Sequence, residues 1–173
     1  SNIMKGELPV TKRQLFENFI NENLDSAYRF AFTYTKNRED AEDAVNESVI
    51  KALRSIEKLK SCEHIKTWFF KIIINTSVTI LNNRKKIITA SYDDYLVQPF
   101  EDDHSALTFS DILNRLDEKY RSVIVLRFFE DMPIKDIAYI LNVNENTVKT
   151  RLYTALKILK EDLKGDIDEE FKG

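Results

Sequence analysis

Residues 133–152 read PIKDIAYILNVNENTVKTRL, a stretch that reads as two helices meeting at a tight corner. Pro133 suits a helix start, because the N–H it lacks has no helical partner there anyway. Ile137, Ala138 and Leu141 fall on one face, Asn142-Val143-Asn144 makes a short break, and Asn144 can cap the second helix. Val148, Leu152, Ala155, Leu156 and Leu159 then continue an apolar stripe at three- and four-residue spacing. Small Ala138 allows close approach, while Leu141 and Val143 fill the corner. This skeleton of a helix-turn-helix leaves Glu145, Asn146, Thr147, Lys149, Thr150, Arg151 and Tyr153 partly or fully exposed. From residue 144 to 160 there are four basic side chains and one acid, Glu145. Such a face suits a DNA major groove, where Lys and Arg meet phosphates or guanine edges and Thr or Asn read others. An ordinary helical hairpin shares the stripe but not the polar, basic outer face.

Across the whole chain, 43% of the 173 residues are hydrophobic, which supports a buried core and argues against wholesale disorder. Three Gly and three Pro leave little material for hairpin turns or a glycine-rich phosphate cradle, so the chain reads as helical. The single Cys62 excludes an internal disulfide framework and fits a reducing, cytoplasmic setting. With two His besides, a closed structural zinc site is four-ligand chemistry the chain cannot supply, and no cofactor or metal is expected. The longest apolar runs, at residues 68–70 and 72–74, are far too short for a membrane span, and no basic-then-apolar leader opens the chain.

Net charge is −3, from 26 Lys and Arg against 29 Asp and Glu, but it is unevenly spread. Residues 4–90 are net positive. Residues 91–104 carry no Lys or Arg and five acids, Asp93, Asp94, Glu101, Asp102 and Asp103; the tail from 165 is acidic too. With Pro99 and little apolar periodicity, the middle stretch reads as a linker. Before it, Leu15, Phe16, Phe19, Ile20, Ala27, Tyr28, Ala31 and Phe32 form one amphipathic helical stripe. Polar residues 37–40 interrupt it, and Ala41, Ala44, Val45, Val49, Ala52, Leu53 and Ile56 form the next, with acids in its early turns as the helix dipole favours. A polar loop spans residues 58–66. From Trp68 to about Leu81 the β-branched content would allow a strand, but the spacing of Phe69, Ile72, Ile73, Thr76 and Ile80 predicts a helix ending near the basic cluster 84–86. The expected fold is therefore all-α. Residues 10–88 form one small helical domain and 89–105 a flexible acidic linker. Residues 106–164 form a second, four-helix domain with the helix-turn-helix.

Three motifs, in order, carry a family resemblance. DAEDAVNESVIKAL over 40–53, TWFFKIIIN over 67–75 and LNVNENTVKTRL over 141–152 resemble the core-binding helix, the promoter-melting segment and the terminal helix-turn-helix of bacterial sigma factors of the extracytoplasmic-function (ECF) class. The likeness spans about residues 15–163. It implies a subunit that binds core RNA polymerase, directs it to promoters and helps open the DNA, without covalent catalysis, and that is held in check by an anti-sigma protein. By that resemblance Asp43, Asn46 and Glu47 would meet the clamp helices of the largest polymerase subunit. Asn75 would hold an extruded minus-ten base, whose flipping costs a few kcal/mol of stacking, with Leu59, Ser61, Trp68 and Lys71 around it. Trp68 and Phe69 could serve as stacking platforms, although core packing is the simpler role for both. Arg127, Thr147, Lys149, Thr150, Arg151 and Tyr153 would contact the minus-thirty-five element. The chain departs from the family at Leu59 and Ser61, where an aromatic and a Gly are usual, at Thr154 in place of Arg, and at Asn142 in place of a turn Gly. Asn tolerates the left-handed backbone such a turn needs.

Two other function classes compete. A stand-alone helix-turn-helix regulator explains the second block but leaves the first two motifs coincidental. An enzyme would have to use pairs such as Asp93-Asp94, which sit in the linker without a fixed third group. Cys62-Glu63-His64 offers too few soft ligands for a metal sensor.

Overall fold

The computed structural model describes residues 8–90 and 109–172, so the acidic stretch 91–104 lies outside the described residues. All the regular structure among them is helical, in two domains. The first comprises α1 (Lys12–Thr35), α2 (Arg38–Ser55) and α3 (Ile65–Ala90); the second comprises α4 (Phe109–Arg115), α5 (Glu118–Ile124), α6 (Ile134–Leu141) and α7 (Glu145–Lys172).

Side-chain caps set the starts of α1, α2 and α7. Thr11 and Gln14 form a reciprocal capping box at α1, with Gln14 N–H donating to Thr11 Oγ1 (3.1 Å) and Thr11 N–H to Gln14 Oε1 (2.9 Å). Lys36 takes a left-handed conformation to end α1, and Asn37 at once caps α2 by accepting from Asp40 N–H at 2.8 Å. The hairpin is therefore very short. Along α2, Ala41, Ala44, Ser48 and Ala52 are fully or almost fully buried, and their small size lets α1 and α3 approach closely. Phe16 and Phe19 of α1 meet Phe69 of α3 at ring-centroid distances of 5.2 and 5.9 Å, and Phe30 stacks on Phe70 at 5.1 Å. The segment with the ambiguous β-branched content is helical, as its spacing predicts.

One boundary differs from the sequence reading. α3 continues past Leu81 and the basic cluster 84–86 to Ala90. Residues 82–89 of α3 are exposed, so no apolar stripe announces them. Arg84 ties the extension back to buried Asp40 at 2.8 Å.

In the second domain Ile112, Leu116, Val123, Leu126, Ile137, Val148, Leu152 and Ala155 build the core. α5 runs into one π-helical turn, Val125–Phe129, closed by Glu130 N–H donating to Val125 O at 3.0 Å. The corner between α6 and α7 is built as expected. Asn142 is left-handed (φ 54°, ψ 47°), and Val143 N–H reaches back to Ala138 O at 3.1 Å.

The two domains pack against each other, α1 on α5 and α3 on α6. Arg121, 2% exposed, donates to Leu116 O and Asn114 O of its own domain and to Thr33 O of α1. Burial pushes its guanidinium pKa down, and the nearby Glu118, Tyr34 and Asp117 oppose that. Tyr34 donates to Ser122 Oγ at 2.7 Å, because the Ser122 proton is already committed to Glu118 O. Burial raises the Tyr34 pKa, which keeps its hydroxyl a donor.

Candidate nucleic-acid interface

The polar face of α7 starts from its cap. Asn144 Oδ1 accepts from Thr147 N–H at 2.7 Å and from Thr147 Oγ1 at 2.9 Å, so Thr147 is fixed by the cap itself. Changing Asn144→Ala should cost roughly 1 kcal/mol of stability, read from urea unfolding. Lys149 and Tyr153 stand one turn apart on the outer face, with Tyr153 74% exposed. Thr147, Thr150 and half-buried Arg151 line a cleft of about 430 Å³ against Lys119 and Tyr120 at the start of α5. Arg127 is not in that cleft; from the π turn its Nη1 donates to Met132 O at 3.0 Å and braces the approach to α6. The sequence reading did not single out Lys119 or Tyr120.

A second cleft, of about 470 Å³, lies over the loop before α3. Two 3₁₀ turns, Ile56–Lys58 and Cys62–His64, shape that loop, and Lys12 Nζ anchors it through Glu57 O (3.1 Å) and Leu59 O (2.8 Å). Ser61 and Trp68 line the cleft, as do Lys58, Lys60 and His64 of the polar loop. Leu59 also borders it but is only 6% exposed, so its side chain belongs mainly to the core. Trp68 serves both sides: it is half-buried, edge-on to Phe16 at 6.2 Å, and walls the cleft. Phe69 is wholly buried and belongs to the core alone. Lys71 and exposed Asn75 follow one turn apart on α3. Lys135, Asp136 and Tyr139 of the second domain close the same cleft from above, a partnership across more than sixty residues that no local pattern signals. Lys71 Nζ donates to Tyr139 O (2.9 Å) and Ile140 O (3.0 Å), and its partial loss of water lowers its pKa.

Asp43, Asn46 and Glu47 form an exposed stripe on α2, opposite its buried small residues. Glu47 pairs with Lys51 one turn on, at 2.9 Å. Ile50, 49% exposed, extends the stripe and gives it an apolar element absent from the sequence reading. Among the described residues no group of three or more His, Cys, Asp or Glu is suited to a metal ion, and no helix is long and apolar enough to cross a membrane.

Known proteins share this arrangement. Residues 19–87 match the family described as sigma-70 region 2, and residues 107–159 match sigma-70, region 4. The chain is 41% identical over 160 residues to the RNA polymerase sigma factor SigV of Bacillus subtilis, covering 88% of this chain and 96% of that one. The chain belongs to the sigma-70 family, in its ECF class. A further relative is the ECF RNA polymerase sigma factor SigW of Bacillus subtilis, 25% identical, covering 86% of this chain and 89% of that one. In fold, this sigma factor resembles the sigma factor RpoE of Bartonella quintana, solved with the anti-sigma factor NepR. The TM-score is 0.71 at 24% identity, over 86% of this chain and 96% of that one. The region 2 match takes in most of α1, all of α2 and nearly all of α3, and the region 4 match ends within α7. An RNA polymerase sigma factor directs the enzyme to promoters.

Proposed function

We propose that this sigma factor docks on bacterial core RNA polymerase through Asp43, Asn46 and Glu47, an acidic stripe suited to a basic helix face such as the clamp helices of the largest subunit. In the holoenzyme, Lys149, Tyr153, Thr150 and their neighbours on α7 read the minus-thirty-five element. The loop cleft takes an extruded minus-ten base, with Ser61 and Trp68 as its walls and Asn75 and Lys71 along the strand that leads to it. Residues 10–88 and 106–164 act as the two units, and their joint action gives avidity that neither has alone. The work is binding and strand separation in the cytoplasm, with an anti-sigma protein as the restraining partner.

The observation that most supports this reading is the two-sidedness of α7. Val148, Leu152 and Ala155 seal one face into the core, while Asn146, Lys149, Thr150 and Tyr153 are exposed at or beside a basic cleft. The test is transcription reconstituted with bacterial core polymerase on a library of random upstream sequences. The expected result is a selected two-part promoter. Lys149→Ala and Tyr153→Ala should each weaken promoter binding by about 1–3 kcal/mol and relax selection in the upstream element only. Selection unaffected by either change would remove α7 from the reading of that element.

A further inference from the structure

The first two residues of α1, Lys12 and Arg13, are both basic, and no acid stands in its first turn. That runs against the helix dipole, which disfavours cations at an N-terminus. Arg13 is answered locally, by Glu17 one turn on at 3.0 Å. Lys12 is answered far along the chain, where its Nζ donates to Glu57 O and Leu59 O, 45 and 47 residues away. The start of α1 has no need of this ammonium, because Thr11 and Gln14 already cap it. Glu57 lies in the 3₁₀ turn Ile56–Lys58 and Leu59 is its C-cap, and carbonyls at a helix end lack partners within the helix. Lys12 supplies those partners. Leu59 is thus held from both sides, its side chain buried in the core and its carbonyl on Lys12. Further on, Ser61 O accepts from His64 N–H at 3.2 Å in the second 3₁₀ turn. The backbone that carries Lys60 and Ser61 into the cleft wall is fixed at both ends, and at one of them the fixing comes from α1.

We propose that Lys12 is a positioning residue for minus-ten selection, acting through the loop rather than on the DNA. By holding the Glu57 and Leu59 carbonyls it sets the Lys60–Ser61 wall of the cleft before a base arrives. The inference rests on the proposed capture of an extruded base in this cleft. A wall that is already ordered incurs no ordering cost on binding and discriminates between bases by its shape. A loose wall adapts to whichever base enters.

The test compares three variants of the full chain. Lys12→Met keeps the stem and removes the donors, Lys12→Arg keeps the charge and N–H groups, and Arg13→Met removes the neighbouring charge without touching the loop. The Leu59 amide, bonded to Ile56 O at 3.1 Å within the first 3₁₀ turn, should exchange its hydrogen about tenfold faster in Lys12→Met. In Arg13→Met it should stay within about twofold of wild type. Each protein is then reconstituted with bacterial core polymerase on the library of random upstream sequences. Lys12→Met should reduce the preference for the best minus-ten base over the next roughly three- to tenfold, the scale set by ordering one segment on binding. Selection of the upstream element and the urea midpoint should match wild type, and Lys12→Arg should recover most of the lost preference. Unchanged minus-ten preference in Lys12→Met overturns the proposal, as does an equal loss in Arg13→Met. A lower urea midpoint with both elements weakened together also overturns it, since that is what a purely structural role produces. If wild type itself selects no minus-ten element, the underlying reading of the cleft fails; wild-type selection that Lys12→Met shares in full sinks this inference alone.

Discussion

Phe69→Ala should lower the unfolding free energy by roughly 3–5 kcal/mol. Phe69 is 0% exposed and makes edge contacts with both Phe16 and Phe19, so Ala leaves a cavity between α1 and α3 that neither helix can collapse into. Urea unfolding followed by circular dichroism measures it, as a lower midpoint at an unchanged slope. Trp68→Ala is the informative contrast. Half-buried Trp68 should cost only about 1–2 kcal/mol, from the area it does cover, yet impair promoter opening in the folded protein. A Trp68 variant that opens promoters normally would assign that residue to packing alone. A Phe69 loss below about 1 kcal/mol would contradict an aromatic core centred on that ring.

Reversing charge in the acidic stripe is the second large effect. Glu47→Lys should weaken binding to core polymerase about ten- to a hundredfold, because it sets like charges against each other where attraction is expected. The fold should hardly notice. Glu47 and Lys51 are both nearly half exposed, and a surface pair of this kind contributes a few tenths of a kcal/mol. Thermal unfolding of the variant checks that, and titration of fluorescent core polymerase measures the loss, which should shrink as salt is raised. Wild-type affinity in Glu47→Lys would place the polymerase contact elsewhere than this stripe.

The helices themselves were legible because their causes are local. The stripe through Phe16 and Phe19, the Asn144 cap and the left-handed Asn142 each involve residues a few positions apart, and the structure contains them all as read. Where apolar periodicity stopped, the reading stopped, although α3 runs on to Ala90. The π turn at Val125–Phe129 was hidden for a related reason: an apolar run looks the same whether its carbonyls are met four or five residues on. The candidate sites were legible in part. The exposed residues of α2 and α7 followed from which face each helix must bury. Leu59 did not, because a loop has no periodicity from which burial can be read, and only packing shows that it turns inward.

What the sequence by itself determined is the all-helical class, the helix-turn-helix, the membership in the sigma family that its motifs announce and the faces those helices expose. Periodicity and capping act within a turn or two of chain, so they survive in any arrangement of the domains. What only the tertiary structure decided is how the two domains meet. Lys66 finds Glu130 across 64 positions and Lys71 finds Ile140 across 69, and a lysine on a helix face carries no mark of its acceptor. That choice is made when the second domain presents a carboxylate and a helix C-terminus to two lysines of α3, and charge and hydrogen-bond geometry settle the match.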